Sequence, residues 1–190
     1  MEIFFATGNE HKFRETVKFF AKNAPSVQLK HFPFKHNEIR SDELAEIADE
    51  AVAVAYAQLK KPVFVEDTGL FIDALNGFPG TYSAWAQSKI GNKGLLKLLE
   101  GEAVRSARFE TVISFTDGKT TAHFRGICPG SIVEKPRGKS GFGFDPIFVP
   151  TGHPTTFAEN IELKSQLSHR YKSVLLLTNY LKSYTNVKVN

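Results

Sequence analysis

Cys128 is the only cysteine among 190 residues, so an internal disulfide framework is excluded and a reducing compartment suits the chain. No apolar run is long enough to span a bilayer. The start, MEIFFATGNEHK, meets charge almost at once and lacks the apolar stretch and small-residue cleavage site of a secretory signal. These absences point to the cytoplasm and away from a membrane partner. A block of Lys and Arg is missing too: the formal charge of +4 is scattered, without the concentrated stripe of a dedicated nucleic-acid binder, and small anions remain open as partners. His31, His36, His123 and His153 lack zinc-site spacing and Cys128 has no second thiol, which argues against zinc. Cys128 follows a strand-like apolar run and reads as core.

What is present fits an ordinary folded chain, 42% hydrophobic and 23% charged, of a length for one folding unit or for two lobes sharing a sheet. Ile3–Ala6 is a short apolar run, then Thr7-Gly8-Asn9 turns into a helical pattern with Phe13, Val17 and Phe20 on one face. Val27–Phe32 reads as a second strand, and Ser41-Asp42 offer an N-cap for a helix over 43–59 that Lys61-Pro62 ends. Val63–Val65 reads as a buried strand that stops at Glu66-Asp67-Thr68-Gly69. Asn76–Gly80 is a turn cluster, Leu95–Leu99 a short helix, and strands around 107–115 and 120–127 meet at Asp117-Gly118. Thr156 and Glu159 have capping-box spacing, and a last amphipathic helix over 169–184 buries Val174, Leu177 and Leu181.

The stretch GKSGFGFDPIF, residues 138–148, invites two misreadings. As a P-loop it fails, because Val133 stands where the first glycine is needed. As an RNA-binding octamer it is broken by Ser140, Asp145 and Ile147, and Pro146 lacks the amide a central strand donates. What survives is an aromatic-glycine turn, Gly141-Phe142-Gly143-Phe144-Asp145, ending in a carboxylate.

Three further groups carry possible chemistry. Thr7-Gly8-Asn9-Glu10-His11-Lys12 opens a helix after a strand, aiming free amides, the positive dipole end and a mobile ammonium at one spot, as a polyphosphate requires; an ordinary capped turn gives the same letters. Glu66 and Asp67 follow a hydrophobic strand, with Glu38 and Asp73 elsewhere. Acids so placed need solvent, a cation or a basic partner, and Mg²⁺ takes one or two carboxylates together with substrate phosphates. An acid there can also accept a proton from attacking water. Lys164 precedes, and His169 and Arg170 open, a helix capped by Ser168, where cations oppose the dipole; they face either an anionic or acceptor-rich group or solvent.

Taken together, FATGNEHK, VEDTGLFIDALNGFPGTYS, GFGFDPIF and TFAEN with Lys164 and SHR resemble the inosine triphosphate pyrophosphatase family, the Ham1-like or RdgB-like house-cleaning hydrolases. The order of four motifs from Phe5 to Arg170 makes the resemblance specific, and NEIRSDELAEIA is similar to archaeal members. The resemblance implies Mg²⁺-dependent hydrolysis of ITP, dITP and XTP to monophosphate and pyrophosphate, usually by a homodimer. It implies a single domain over 1–190, α/β, with a long mixed twisted sheet flanked by helices and two lobes around a substrate cleft.

By the same resemblance, Thr7, Gly8, Asn9, Glu10, His11 and Lys12 bind the triphosphate, Glu38 and Asp67 hold Mg²⁺, and Asp67 with Lys12 is catalytic. Thr68, Phe142, Gly143, Phe144, Asp145, Lys164, His169 and Arg170 bind substrate, the last six serving the nucleoside with Phe142. Phe144 stands where many members have tyrosine, Glu66 and Thr68 replace aspartate and serine, and Ala53 lies where many carry a lysine. A ring from the aromatic turn can stack on a purine, and donors such as His169 and Arg170 suit a 6-keto oxygen rather than adenine's amino group. The alternatives are a Maf-like pyrophosphatase for other modified nucleotides and a nucleotide- or RNA-binding module without catalysis.

Overall fold

The first apolar run becomes β1 (Glu2–Ala6), and Asn9 turns the chain into α1 (Glu10–Asn23) in a computed structural model that describes residues 1–187. Residues 188–190, included in the expected domain, lie outside the described residues. The buried face of α1 is Thr16, Phe19 and Phe20, whereas Val17, expected inside, is exposed. At 3.6 residues per turn, positions 16 and 20 stack on one face and 17 is rotated away from it.

β2 (Gln28–Phe32) pairs parallel with β1. α2 (Leu44–Leu59) begins after Glu43, not at the expected Ser41-Asp42 cap. The Ser41 hydroxyl instead accepts the Glu43 N–H at 3.0 Å and donates to Glu46 at 2.6 Å, fixing the approach to the helix. The helix closes on Lys60 in a left-handed conformation.

The strand expected to stop at Glu66 does not stop. β3 runs from Val63 to Ile72, with the Glu-Asp-Thr-Gly segment in its middle. Two features permit this. The Glu66 carboxylate is neutralised inside the protein, as described below, and Gly69 lets β4 (Pro79–Gly80) pack close, since a Cβ there would lie 2.6 Å from the Gly80 carbonyl oxygen. Between these strands the turn cluster opens with a short 3-10 turn, Asp73–Leu75.

α3 (Ser83–Lys89), unanticipated in sequence, is followed by α4 (Gly91–Leu98). The Ser83 hydroxyl accepts the Leu70 N–H and donates to the Gly80 carbonyl, both at 2.7 Å, tying α3 to β3 and β4. β5 (Ser106–Thr116) and β6 (Thr121–Ile132) meet at the Asp117-Gly118 turn, where Asp117 accepts the Lys119 and Thr120 N–H groups. β6 runs past the expected end at Ile127 because β7 (Phe148–Pro150) pairs antiparallel along its last residues. α5 (Ile161–Leu167) and α6 (His169–Val187) complete the chain.

The seven strands form one mixed sheet in the order β2-β1-β3-β5-β6-β7, with β4 on β3. The chain divides into two compact units. The first comprises Met1–Asp67, Thr111–Gly126 and the segment from Arg170; its core gathers Ile3, Phe5, Phe20, Phe64, Phe115 and Leu177. The second comprises Thr68–Glu110 and Ile127–His169, with Leu70, Leu99, Phe109, Phe148 and Phe157 at its centre and Cys128 buried beside them. Two of the four divisions, between Asp67 and Thr68 and between His169 and Arg170, fall inside motifs singled out by sequence. No helix among the described residues is long and apolar enough to cross a membrane.

Candidate active site

In the first unit, the turn after β1 is built by short polar contacts. The Thr7 hydroxyl accepts the Asn9 N–H, and the Asn9 side chain accepts the Lys12 N–H, each at 3.1 Å. Asn9 is therefore a true N-cap, and α1 opens with its dipole's positive end at this turn. The Thr7 carbonyl meets the His31 ring at 2.9 Å, and Gly8 passes close to the Phe34 carbonyl. His11 is exposed in the first turn of α1. The Glu10 carboxylate is exposed and paired with Arg14 at 2.6 Å, which orients it along the helix surface.

Lys12 links the turn to the acids of β3. Its ammonium donates to the Glu66 carbonyl at 3.2 Å and lies 3.4 Å from the Glu66 carboxylate. Glu66 itself faces inward. Arg170, at the start of α6, donates Nε and Nη2 to the two Glu66 oxygens at 2.8 Å each, and Nη1 to Glu15 at 2.6 Å. Three of the Arg170 donors are thus engaged by carboxylates of the protein, and the side chain is fully buried. Burial by itself disfavours the charged guanidinium. Glu66 and Glu15 more than offset that and hold it charged well above the ordinary arginine range.

Asp67, next along β3, is partly exposed, as strand alternation turns it away from the side that buries Glu66. Of the other acids, Glu38 is exposed in the irregular stretch between β2 and α2, and Asp73 accepts the Ser106 hydroxyl. Among the described residues, no three His, Cys, Asp or Glu side chains converge as a metal cluster. Glu66 is poorly suited to a metal, since Arg170 and Lys12 already take up its charge. Carboxylate oxygens such as those of Asp67 and Glu38 are the kind of hard donor a divalent ion takes.

In the second unit the aromatic turn is held from within. The buried Asp145 carboxylate accepts the Phe142 N–H at 2.8 Å and the Lys164 ammonium at 2.7 Å. Lys164 precedes α6 as expected, but within a short helix of its own, α5, and is itself buried, with its charge 4.4 Å from the Phe142 ring centroid. Phe144 is a core residue, so of the two rings considered for stacking only Phe142 is partly exposed. His169 is buried and stacks on Phe109 at 4.5 Å. Thr68 is partly exposed on β3.

Sequence reasoning missed Glu15, Gln87 and Asn92. Glu15 lies one helical turn beyond Lys12, but its partner Arg170 is 155 residues away. Gln87 and Asn92 both donate to the Gly143 carbonyl, at 3.3 and 3.1 Å. The polar letters of Gln87 in the unrecognised α3 were the one available signal.

Residues 3–180 match the Ham1 family model. A dITP/XTP pyrophosphatase of Saccharolobus solfataricus is 46% identical over 186 residues, spanning 97% of this chain and 96% of that protein. One from Methanopyrus kandleri is 45% identical over 176 residues, spanning 92% and 93%. Among solved structures, the Ham1 protein of Staphylococcus aureus is similar with a TM-score of 0.83 and 32% identity, over 97% of this chain and 100% of that one. A HAM1 protein from Coxiella burnetii has the same TM-score with 28% identity, over 96% and 99%. Matching along nearly its whole length in sequence and in fold, the chain belongs to the Ham1 family.

Proposed function

We propose that this protein hydrolyses the non-canonical purine nucleoside triphosphates dITP, ITP and XTP to monophosphate and pyrophosphate. The observation that carries the reading is the contact of Lys12, from the turn that opens α1, with Glu66, which directly precedes Asp67. It joins a cation suited to phosphate with a strand bearing a partly exposed acid, in a chain 46% identical to a dITP/XTP pyrophosphatase.

The triphosphate is received by the turn Thr7–Lys12 and the dipole of α1. Asp67 accepts a proton from water as the water oxygen bonds to the α-phosphorus. The bond from that phosphorus to the bridging oxygen breaks, and pyrophosphate leaves with its added charge offset by Lys12. Mg²⁺, held by Glu38 and Asp67, supplies further charge neutralisation on the phosphates when bound. The base is served by the second unit's turn, with Phe142 stacking and Thr68 and His169 contributing polar contacts; a 6-oxo group matches N–H donors where adenine's amino group does not. Arg170, Asp145 and Lys164 act by holding these parts in place. The single cysteine fits the cytoplasm, and the protein acts as a homodimer without a nucleic-acid or membrane partner.

A steady-state assay with Mg²⁺ and ITP, dITP, XTP, GTP and ATP tests the reading, with products separated and pyrophosphate quantified. Monophosphate and pyrophosphate from the first three, with GTP and ATP nearly untouched, is the expected result. Diphosphate with phosphate would overturn the mechanism, and binding without turnover would make the protein a nucleotide-binding module.

A further inference from the structure

Gly143 sits in the middle of the aromatic turn with φ of +62°, and no heavy atom lies within 4 Å of where its Cβ would be. No neighbouring side chain is packed against the glycine on that side. What holds it is a pair of side-chain amides, Gln87 from α3 and Asn92 from the first turn of α4, which donate to the one Gly143 carbonyl oxygen at 3.3 and 3.1 Å. An oxygen with two lone pairs is thereby saturated by donors from two helices.

The consequence lies on the other side of the peptide. In a planar trans peptide the carbonyl of Gly143 and the N–H of Phe144 point in opposite directions. Fixing the carbonyl toward the helices turns the Phe144 N–H away from them. That N–H makes no hydrogen bond within the described residues, although the Phe144 ring is buried and anchored. Meanwhile Gln87 Oε1 and Asn92 Oδ1 are buried and accept no hydrogen bond there. Buried acceptors without donors oppose stability, so these amides are a poor way merely to fill space. Leu or Met would fill it better.

We propose that Gln87 and Asn92 are positioning residues that lock the Gly143–Phe144 peptide and so present the Phe144 N–H as a donor to the 6-oxo oxygen of the base. The inference rests on the nucleotide reading above and assigns its base preference to a clamp formed by these two amides. Because they share one acceptor, either alone retains part of the effect, and their losses combine more than additively.

The test uses the full chain with Gln87→Met, Asn92→Leu and the double variant, measuring kcat and KM for ITP and ATP alongside thermal unfolding. A neutral hydrogen bond lost at the base corresponds to a rise in KM for ITP of up to about tenfold. The double variant should reach that rise with kcat within about threefold, and the preference for ITP over ATP should fall by the same factor as KM rises, since adenine has no 6-oxo group to lose. A purely structural role would lower thermal stability while leaving the KM for ITP and the ITP preference unchanged. Combined with Gln87→Met, Asn92→Asp, which removes the donor at constant size and sets a carboxylate against the Gly143 carbonyl, should reproduce the KM rise if Leu is poorly accommodated. An unchanged KM and ITP preference in folded double and Asp variants would overturn the inference while leaving the nucleotide reading intact. Absence of ITP turnover by the unaltered protein would overturn that reading and the inference with it.

Discussion

Both oxygens of the Glu66 carboxylate are held by one side chain, Arg170, through Nη2 to Oε1 and Nε to Oε2 at 2.8 Å each. This fork sits fully buried, and Lys12 and Glu15 extend it at either end. An acid inside a hydrophobic strand is thus made tolerable by a cation from the far end of the sequence. Removing one partner leaves an uncompensated buried charge, which costs about 3–5 kcal/mol, whereas apolar replacement of both removes the desolvation penalty together with the attraction. Arg170→Met should therefore lower unfolding stability strongly, and Glu66→Leu combined with Arg170→Met should recover much of the loss. Urea unfolding of the two single variants and the double gives the coupling directly; additive losses would refute the pairing.

The same fork fixes a pH response. A guanidinium raised above its ordinary range contributes stability that is complete below the ordinary arginine value and is lost only as pH climbs through the raised one. Arg170 therefore adds no alkaline instability within the working range of the protein. In Arg170→Lys the ammonium has an ordinary value of about 10.4, raised further if it pairs with the two carboxylates. Its contribution begins to fall as pH passes that value. The difference in unfolding stability between Arg170→Lys and the unaltered protein should hold level from neutrality to about pH 9 and widen from about pH 10 upward. A difference that narrows there would contradict the assignment.

Asp67 offers a separation of chemistry from fold. It is partly exposed and lies outside the buried fork, so Asp67→Asn should leave thermal unfolding nearly unchanged. Loss of a positioned base lowers turnover by at least about a hundredfold. Pyrophosphate release from ITP and circular dichroism of the same sample check both halves; near-normal release would remove Asp67 from the mechanism.

Glu38 tests the metal assignment independently of turnover. Chelation of divalent ions should abolish ITP hydrolysis without unfolding the protein. Glu38→Gln should raise the Mg²⁺ concentration for half-maximal activity and weaken Mn²⁺ binding measured by electron paramagnetic resonance without nucleotide. Equal Mn²⁺ affinity in the two proteins would exclude Glu38 as a ligand.

These residues also mark where sequence was readable. Local signals survived well: Asn9 caps α1, Asp117-Gly118 turns a hairpin, and Thr156 and Glu159 exchange the two bonds of a capping box at 3.1 and 2.8 Å. Each depends on atoms within three or four residues, where spacing is nearly geometry. Features that depend on distant partners were less legible. Glu66 was expected to end its strand because acids are costly inside, but the cation that removes the cost comes 104 residues later. For Arg170, a cation in the first turn of a helix calls for an acceptor, and sequence alone did not show that Glu66 and Glu15 supply it. Phe142 and Phe144 carry the same ring two positions apart, and tertiary packing alone decides that Phe144 enters the core.

Gly141 gives the sharpest contrast with a neighbour. Its φ is +76°, and a Cβ there would run into Asp145 Oδ2 and lie 3.0 Å from Cγ of the same side chain. Gly143 has a comparable φ, +62°, but open space around its Cβ direction. Alanine at either position pays the left-handed backbone cost of about 1–2 kcal/mol. Only at 141 does it also displace the carboxylate that accepts the Phe142 N–H and the Lys164 ammonium. Gly141→Ala should therefore destabilise the protein more than Gly143→Ala and raise KM for ITP more, because the Asp145 contacts that hold the Phe142 ring beside Lys164 are broken. Unfolding midpoints and ITP kinetics of the two variants decide the matter. Equal effects at both positions would mean that backbone conformation, and not the Asp145 contact, shapes the turn.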